Sequence, residues 1–511
     1  MKFTKLESMP GFQIENFGCR AARADGEAIA GRLRAFAERE PFASDVVVVN
    51  TCSVTAEADR AARAFIRRAH RRNPAARIVV TGCYAQRAPH ELANMAGVAA
   101  VVGNSHKALA PEIVFNLAQS LANIEAAAVP PSIVPVASLL NSSTPHAAPV
   151  WVDDRFAHSF IEDAQLAPGA QTRPNLKIQE GCGNRCTFCV IPQTRGPSRS
   201  LPTASVIRQV EAFVEAGGKE LVISGINLGR WGRDSFSSPG GEALAEPGRV
   251  SPAADPERMS LADLARAILT QTALPRLRLS SIEPMDWDSE LIALFCEFGI
   301  DESGVGEFGD SRLARHAHLP LQSGSDAVLR RMHRRYRPWH YAEKVTALLR
   351  AAGPDLTLGA DVMVGFPGET DREFEETLAF IGALPFGYLH LFPFSPRPGT
   401  RGWELYAASP VPPAVVEERM AALRALAAEK TLAHRRRFVG RELSAITLNS
   451  QTLNTTALKT ASPLAAGGHT AALSENFLPI SLDGHYPSNQ FLQVRVTDIH
   501  SDGSLIGLAS R

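Results

Sequence analysis

Short apolar runs that alternate with helical segments occupy most of the chain, and this alternation restricts the fold more than any other feature. Between residues 11 and 105, the runs DVVVVNT and ARIVVTG alternate with Ala/Arg-rich stretches of helical periodicity. Apolar β-branched runs of this kind are typical of strands that are buried on both faces of a parallel sheet. The sequence therefore predicts an open parallel α/β domain over residues 1–116.

A second alternating series begins near residue 175. Its six predicted strands lie in NLKIQE, ELVISGI, RLRLSS, AHLPLQ, LTLGADVMVG and GYLHLF. Helical stretches separate them, which indicates successive β/α units and a parallel barrel that is incomplete relative to the eight-stranded kind. The barrel is predicted over residues 173–440, with a long amphipathic helix near 411–437, and its chemistry is expected at the carboxyl ends of the strands.

Composition and short alternating patterns predict the organisation of the rest of the chain. Residues 117–172 are rich in Ala, Pro and Ser, which predicts a linker or insertion, and residues 231–258 and 301–314 predict surface insertions. The tail, 441–511, contains the short alternating stretches ELSAITLN, FLQVRVTDI and GSLIGLAS. These predict a small β-barrel with a long loop at 451–475.

Charge and hydropathy exclude some classes of protein. Lys plus Arg equals Asp plus Glu, at 53 each, so no overall field draws the chain to nucleic acid or membrane. No signal-peptide core is present, and no apolar stretch reaches the roughly 18 residues that a membrane span needs, so we expect a cytoplasmic protein without a membrane partner. The basic stretches 60–72, 330–338 and 434–438 are candidates either for RNA contact or for solvated helix faces.

Seven cysteines are present, and an odd number fits a disulfide framework poorly. Cys296 lies in the apolar helical pattern ELIALFCEFGI, where we expect a small buried hydrophobic residue. The other six form two groups. Cys182, Cys186 and Cys189 follow the first barrel strand, whereas Cys19, Cys52 and Cys83 each follow a different strand of the first domain. Since the carboxyl ends of parallel strands share one edge, the second group is expected to meet in space, although small residues that end buried strands remain an alternative.

The spacing CGNRCTFC favours iron over zinc. No histidine stands at ligand spacing, so a closed zinc site would have to borrow a distant ligand. A 4Fe-4S cluster, in contrast, can be held by three thiolates while its fourth iron stays open to a substrate or cofactor. Gly181 and Gly183 would let the backbone pass close to such a bulky core.

CGNRCTFC at the end of a first barrel strand resembles the radical S-adenosylmethionine (SAM) enzymes, and the whole chain resembles the methylthiotransferases among them. The matching segments cover residues 11–105 and 174–440. They are NFGCR, NTCSVTAEADRAARAFIRRAHRRNPAARIVVTGCYAQ, CTFCVIPQTRGPSRS, LRLSSIEP, HLPLQSGSDAVLRRMHRRY, DVMVGFPGET and FPFSPRPGT. NTCSVTAEADR, TGCYAQ and IPQTRGPSRS are most similar to the branch that modifies N6-threonylcarbamoyladenosine (t6A) at position 37 of tRNA.

The resemblance implies two clusters and one cofactor. Cys182, Cys186 and Cys189 would hold the 4Fe-4S cluster that cleaves SAM, and Cys19, Cys52 and Cys83 a second 4Fe-4S cluster for sulfur insertion. One SAM would supply a radical that removes the C2 hydrogen of the base, and another would methylate the sulfur. The partners implied are the tRNA anticodon stem-loop and a low-potential electron donor, a flavodoxin or ferredoxin, with the sulfur source unknown. GHYPSNQFLQVRV resembles the RNA-binding TRAM domain, although basic residues are sparse there.

Further residues stand at strand ends or between the cysteines and are candidates for contact with SAM or substrate. They are Phe188, Ser224, Gly225, Glu283, Gln322 and Gly365. His316 and His318 flank the fourth barrel strand, where a structural role is the favoured interpretation.

Two other functions remain open on the sequence alone. Within the family, the substrate could be N6-isopentenyladenosine in tRNA or an aspartate of a ribosomal protein. Outside it, the chain could be a non-catalytic RNA-binding protein stapled by zinc.

Overall fold

The computed structural model describes residues 4–9, 11–42, 45–119, 147–156, 172–233, 259–299, 311–449 and 468–510. Most of the predicted insertions at 117–172, 231–258 and 301–314 lie outside these residues, as does the first part of the loop predicted at 451–475. Within the described residues, no helix is both long enough and apolar enough to span a bilayer.

The N-terminal domain is a six-stranded sheet whose strands are arranged in chain order. They are β1 (Thr4–Met9), β2 (Phe12–Asn16), β3 (Val46–Thr51), β4 (Arg77–Gly82), β5 (Val98–Gly103) and β6 (Val150–Trp151). β1 pairs antiparallel with β2, and all other pairs are parallel. The predicted open parallel α/β domain is therefore confirmed, with more strands than the sequence indicated.

Helices cover both faces of this sheet. They are α1 (Arg20–Arg39), α2 (Ala56–Arg72), α3 (Cys83–Arg87), α4 (Pro89–Ala93) and α5 (Ala110–Gln119). α1 and α5 pack on one face, and α2, α3 and α4 on the other. α2 begins where the Thr55 hydroxyl accepts a hydrogen bond from the Ala58 N–H, and its last turn ends in His70, Arg71 and Arg72, which suits the helix dipole.

The segment predicted as a linker contributes to this domain. α5 continues to Gln119, past the expected boundary at 116, and β6 pairs with Val101 and Val102 of β5. Two residues of strand give too short a pattern to recognise in sequence, so only the pairing partner shows that Val150–Trp151 is a strand.

The barrel contains the six predicted parallel strands. Its strands are β7 (Asn175–Glu180), β8 (Arg199–Ser200), β9 (Glu220–Gly225), β10 (Arg276–Leu279), β11 (His316–His318), β12 (Thr357–Val364) and β13 (Phe386–Pro393). β8 is a short antiparallel partner of β7. The sheets β8-β7-β9-β10 and β11-β12-β13 are joined by parallel bridges between Leu277 and Leu313 and between Ser281 and His318. Because β7 and β13 do not pair in the described residues, the barrel is open along one side.

Helices enclose the barrel. They are α6 (Ile191–Arg195), α7 (Thr203–Glu215), α8 (Leu261–Gln271), α9 (Ser289–Glu297), α10 (Asp326–Arg331), α11 (Pro338–Ala352), α12 (Asp371–Ala383), α13 (Arg401–Ala408) and α14 (Pro413–Arg436). α8 and α12 each begin with a capping box, at Ser260 with Asp263 and at Thr370 with Glu373.

The expectation that Cys296 is buried is wrong. The core-facing residues of α9 include Leu291, Leu294 and Phe295, and Cys296 follows them on the exposed side of the helix. The apolar pattern gave the right helix but not the rotation that places this thiol in solvent.

The C-terminal domain is a closed five-stranded barrel, which confirms the predicted small β-barrel. Its strands are β14 (Glu442–Thr447), β15 (His469–Ser474), β16 (Pro479–Asp483), β17 (Phe491–Ile499) and β18 (Leu505–Ala509), in the order β14-β15-β16-β18-β17. The predicted loop at 451–475 is wrong over its last residues, which form β15. HTAALS has little β-branched character, and it becomes a strand because both β14 and β16 pair with it.

This small barrel closes the amino-terminal end of the large one. Arg276, the first residue of β10, donates a 2.8 Å hydrogen bond to the Ser444 hydroxyl, and Arg441 forms a 2.6 Å ion pair with Asp355 just before β12. The carboxyl ends of the strands, where barrel enzymes carry their sites, lie at the opposite end.

Glu220 is buried at this closed end among three arginines. Its carboxyl is therefore expected to make the free energy of unfolding depend on pH in the acid range. Burial alone would raise the pKa of this carboxyl, but Arg173, Arg278 and Arg276 lower it to about 2. A depressed carboxyl pKa stabilises the fold fully above the unfolded value near 4.3, and this contribution is lost as pH falls towards 2. We expect Glu220→Gln to lower the unfolding free energy by about 3 kcal/mol at pH 7.

The same difference should shrink between pH 4.5 and pH 3, measured by urea unfolding of both proteins. Glu442→Gln, at an exposed position of β14, is the control. A wild type and Glu220→Gln that differ equally at pH 7 and pH 3 would contradict this assignment.

Candidate active site

The cysteine triplet of the barrel lies in an irregular segment directly after β7. Gly181 begins it with φ +72°, and a Cβ there would lie 1.9 Å from the Pro197 carbonyl oxygen, so glycine is required by both backbone conformation and space. Gly183 has open space where a Cβ would be, which leaves room beside the thiols. All seven cysteines are free rather than paired in disulfides.

The three barrel thiols lie close enough to influence one another. Burial raises the pKa of Cys189 to about 12, and the neighbouring thiols of Cys186 and Cys182 add to this effect. Burial is also the first cause of the raised pKa of Cys182. Thiolates at this position therefore need a compensating positive charge, such as that of iron.

Hydrogen-bond donors point at the same sulfurs. The Asn184 N–H and the Asn227 side-chain amide lie 3.4 and 3.5 Å from the Cys182 Sγ, and a guanidinium nitrogen of Arg334 lies 3.3 Å from the Cys186 Sγ. Donors to the sulfurs are a means by which proteins tune iron–sulfur clusters.

The second triplet follows three neighbouring parallel strands. Cys19, Cys52 and Cys83 come after β2, β3 and β4, and Cys83 is the first residue of α3. A Cβ on Gly18 would lie 2.7 Å from the Cys52 Sγ, so glycine is needed for this close approach. Burial raises the pKa of Cys52, and the Cys19 and Cys83 thiols raise it further. The thiols are thus brought to one edge of the sheet.

Cys83 receives hydrogen bonds from two long-range partners. Arg195 Nε lies 3.2 Å from its sulfur, and the Asn104 amide lies 3.4 Å away. Asn104 also donates to the Thr194 carbonyl oxygen at 2.8 Å. Because Arg195 ends the short helix that follows Cys189, the two triplets are connected through six residues of backbone and one side chain.

Arg195 belongs to a buried charge cluster between the two domains, formed by Asp25, Lys107, Lys177, Glu180 and Arg195. Arg195 contacts Glu180 at 2.7 Å and Asp25 at 3.1 Å. Lys177 also contacts both carboxylates, and Lys107 lies 2.8 Å from Asp25. Burial alone would raise the pKa of Glu180, but Arg195, Lys107 and Lys177 lower it well below its usual range.

The charge balance of this cluster also involves the Cys83 sulfur. Three cations face two carboxylates, and a metal-bound thiolate at Cys83 would supply the third negative charge. The packing between the two domains and the surroundings of the Cys83 sulfur therefore depend on the same charges.

The structure places the other predicted residues as follows. Glu283 pairs with Arg334 at 3.1 Å, so its carboxylate supports the arginine that contacts Cys186. Gln322 has φ +64° and bridges in parallel to Val362 through its backbone. Phe188 packs in an apolar cluster with Phe366.

Ser224, Gly225 and Gly365 stand at the expected strand ends. The Ser224 hydroxyl and the Asn227 side-chain oxygen are buried and have no hydrogen-bond partner among the described residues. Gly225 approaches Gln179 so closely that a Cβ on it would lie 2.7 Å from the Gln179 Cβ, and Gly365 has φ +74° with its N–H donating to Glu369 at 2.9 Å. Because the Asn227 side chain lies beside Cys182, its oxygen without a partner suits a polar ligand there, such as the methionine part of SAM.

The inner face of the barrel is polar, unlike the apolar filling of most parallel barrels. Alternate residues of the strands, such as Leu176, Ile223 and Leu277, pack outward against the helices. The opposite alternation places inward Lys177, Gln179, Ser224, Arg278, His318, Asp361, Tyr388 and His390.

Both histidines of β11 have partners, as the structural interpretation expects. His316 Nε2 lies 2.8 Å from the Tyr388 hydroxyl, and burial, followed by Arg278, lowers its pKa well below the usual range. His318 Nδ1 lies 2.9 Å from the Ser281 hydroxyl, and its Nε2 lies 3.4 Å from Asp361.

Sequence patterns missed Asn104, Asn227, Arg195 and Arg334, the side chains that contact the cysteine sulfurs. Arg195 and Arg334 lie in the family-like segments IPQTRGPSRS and VLRRMHRRY. The sequence therefore marked these segments but did not show that the two arginines contact cysteine sulfurs. Their partners are distant in sequence, so the contact is visible only in three dimensions.

The residues fit two clusters and SAM. Each triplet brings three free thiols together, each has at least one arginine donor, and the Asn227 side-chain oxygen, which has no partner among the described residues, borders the first. Which residues bind the clusters and SAM stays a prediction.

Comparison with known proteins assigns the family. A family described as "Radical SAM superfamily" matches residues 176–381, and one described as "Uncharacterized protein family UPF0004" matches residues 11–103. The relative named Threonylcarbamoyladenosine tRNA methylthiotransferase MtaB from Aquifex aeolicus is 30% identical over 486 residues, covering 94% of this chain and 99% of that protein.

Two further relatives carry related names. The protein with the same MtaB name from Bacillus subtilis is 34% identical, over 76% of this chain and 74% of its own length. The tRNA-2-methylthio-N(6)-dimethylallyladenosine synthase of Sorangium cellulosum is 32% identical, over 81% and 77%. The expectation from the sequence is thus confirmed: the chain belongs to the radical SAM methylthiotransferase family, whose members transfer a methylthio group with SAM and 4Fe-4S clusters.

Proposed function

We propose that this enzyme converts N6-threonylcarbamoyladenosine at position 37 of tRNA to its 2-methylthio derivative. The observation that carries the proposal is the match to MtaB-named relatives, one of which extends over 94% of the chain. The relatives named for dimethylallyladenosine make that base the alternative substrate.

We assign the two cofactor roles to the two triplets. Cys182, Cys186 and Cys189 would hold the SAM-cleaving cluster, and Cys19, Cys52 and Cys83 the cluster for sulfur insertion. The clusters and SAM supply the radical and sulfur chemistry that side chains lack. This chain's own residues orient the reaction: Arg334 and Arg195 donate to ligand sulfurs, and Ser224 and Asn227 offer polar atoms to SAM.

The domain division is proposed with residues 1–116 as the methylthiotransferase domain, 117–172 as a linker, 173–440 as the radical SAM core and 441–511 as a TRAM-like domain, except that the end of α5 and strand β6 within 117–172 belong to the first domain. The family matches at 11–103 and 176–381 lie within the first and third of these. A flavodoxin or ferredoxin is the proposed electron donor, and the cytoplasm, where tRNA is modified, is the proposed location.

The arginines of α2 are the proposed contact for tRNA phosphates. In the stretch 330–338, all five arginines have acidic partners within the chain. In 434–438, Arg435 and Arg437 donate to backbone carbonyl oxygens. In contrast, Arg67, Arg68, Arg71 and Arg72 are exposed on α2.

We expect the double substitution Arg67→Ala and Arg71→Ala to weaken tRNA binding and its salt dependence. The two residues are four apart and share one helix face. Each lost phosphate contact should reduce the slope of log affinity against log salt by about 0.7–0.9. Filter binding between 50 and 300 mM KCl measures the slope. Arg372→Ala, on an exposed arginine of α12, is the control, and equal slopes for all three proteins would rule out this surface.

Nucleoside analysis of tRNA tests the function directly. In a strain that lacks the gene, the 2-methylthio derivative of t6A should disappear while t6A itself accumulates, and the gene should restore it. Loss of the methylthio derivative of isopentenyladenosine instead would establish the alternative substrate. Unchanged tRNA nucleosides together with loss of a modified ribosomal aspartate would refute the tRNA proposal.

A further inference from the structure

Three side chains that can bind a metal ion meet inside the barrel, on three adjacent strands. His318 ends β11, Asp361 lies in β12 and His390 lies in β13. Asp361 and His390 are direct partners in the parallel ladder between β12 and β13, which keeps their side chains on the same face of the sheet. One ligand atom from each of the three residues lies within 4.8 Å of the others. The strands therefore bring two imidazoles and one carboxylate to one point.

The His318 imidazole is oriented with one nitrogen towards the carboxylate. Its Nδ1 lies 2.9 Å from the Ser281 hydroxyl, and its Nε2 faces Asp361. The ring is buried, and Nε2 has no hydrogen-bond partner among the described residues, which is costly for a buried polar atom. Histidines that bind metals usually have their other ring nitrogen held by a hydrogen bond, so the Ser281 contact suits Nε2 as a ligand.

The separations between the three side chains fit shared metal ligands better than hydrogen bonds. Asp361 Oδ1 lies 3.4 Å from His318 Nε2 and 3.2 Å from His390 Nδ1. The second contact is a long hydrogen bond and the first is none, whereas charge-assisted N–H···O bonds are usually about 2.7–2.9 Å long. Zinc binds nitrogen and carboxylate oxygen at about 2.0–2.1 Å, and the edges of a tetrahedron with such bonds are about 3.3 Å long. Both separations match those edges.

The group is open on one side. The side chains of Asp361 and His390 are 25% and 37% exposed, while that of His318 is 9% exposed. Among the residues that the structure describes, no fourth His, Cys, Asp or Glu side chain belongs to the group. Three protein ligands and a fourth position that solvent can reach are the arrangement of catalytic rather than structural zinc sites.

We propose that His318, Asp361 and His390 bind one zinc ion, whose fourth position is open to water or to an oxygen atom of a bound molecule. Two imidazoles and one carboxylate are a common ligand set for zinc with an open position, whereas magnesium and calcium prefer oxygen ligands alone. Zinc in this place would polarise the oxygen that it binds. The inference goes beyond the proposed function and does not depend on which base the enzyme modifies.

Zinc retention by the holoenzyme tests this proposal. Protein that carries both iron–sulfur clusters is incubated with zinc chloride without oxygen and desalted, and its zinc and iron are measured by mass spectrometry. Wild type should retain about one zinc per chain beside about eight iron atoms. X-ray absorption at the zinc edge should show nitrogen and oxygen ligands at about 2.0–2.1 Å, because thiolates would lie at about 2.3 Å.

The variants His390→Ala and Asp361→Asn each remove one ligand. Both should bind zinc at least about 100-fold more weakly in competition with a chelating dye, because loss of a residue that only supports a ligand already costs about 10- to 100-fold. Both should keep about eight iron atoms, which shows that they fold. His500→Ala is the matched control, since His500 is 44% exposed and lies 3.7 Å from Asp502, but in the C-terminal domain. It should bind zinc as the wild type does.

A wild type that retains no zinc while both clusters are present would overturn the proposal. So would zinc with sulfur ligands, which belongs to the cysteines, or zinc that both ligand variants bind with unchanged affinity. Equal loss of zinc from His500→Ala would show an adventitious surface ion only. The nucleoside analysis of tRNA tests the proposed function separately, so failure of either can be told apart from failure of the other.

Discussion

Replacing Cys182 with alanine is expected to abolish SAM cleavage and methylthio transfer while leaving about half of the iron in place. Purified without oxygen, the wild type should contain about eight iron atoms in two clusters, and Cys182→Ala about four. The physical reason is that three thiolates are the only protein ligands assigned to that cluster, so two cannot hold it. Iron and sulfide analysis and the release of 5′-deoxyadenosine measure the two effects.

Cys19→Ala should give the complementary result. It should also retain about four iron atoms, and it should still cleave SAM in the presence of reductant but transfer no methylthio group. This difference separates the two triplets by function rather than by iron content alone.

Cys296→Ala is the matched control for both variants. Its thiol is exposed on α9 and lies in neither triplet. It should keep all of the iron and the full activity. A Cys182→Ala protein with unchanged iron would refute the assignment, and so would a Cys19→Ala protein that either loses SAM cleavage or keeps methylthio transfer.

The largest expected effect on stability comes from Glu180→Ala. Glu180 is 1% exposed and contacts Arg195, Lys177 and Lys107. Its removal leaves three buried cations facing Asp25 and the Cys83 sulfur, and breaking such a network by removing one member costs about 3–5 kcal/mol. Urea unfolding under anaerobic conditions, followed by intrinsic fluorescence, should show a clear fall in the midpoint.

Glu290→Ala provides the surface comparison. Glu290 lies on α9 with its side chain 70% exposed and 3.8 Å from Arg266, and loss of an exposed ion pair costs about 0–1 kcal/mol. Glu180→Gln, which keeps the shape and removes the charge, should lie between the two. If Glu180→Ala lowers the midpoint no more than Glu290→Ala does, the charge cluster does not hold the domains together.

Much of the fold could be predicted because its signals are local. The six barrel strands and the buried runs of β3 and β4 each show their apolar pattern within one segment. β6 and β15 were missed because two residues, or a Thr/Ala-rich segment, carry no such pattern and become strands only through their partners. Cys296 was misplaced because an apolar pattern does not fix how far a helix is rotated about its axis.

In the candidate site, too, the sequence identified the residues with a local pattern and missed those defined by contacts between distant segments. The six cysteines were found because C-x3-C-x2-C and the three strand ends are spaced along the chain itself. The groups that contact their sulfurs were not found, because Arg195 and Arg334 reach Cys83 and Cys186 from 112 and 148 positions away.

The sequence by itself determined the β/α architecture, the two sets of three thiols and the family, because strand periodicity and ligand spacing are written in neighbouring residues. Only the tertiary structure decided which charges surround those thiols, and that Asp25 and Lys107 of one domain meet Lys177, Glu180 and Arg195 of the other. The physical reason is that pairing of buried charges depends on distances between segments, and these are set only when the sheets pack together.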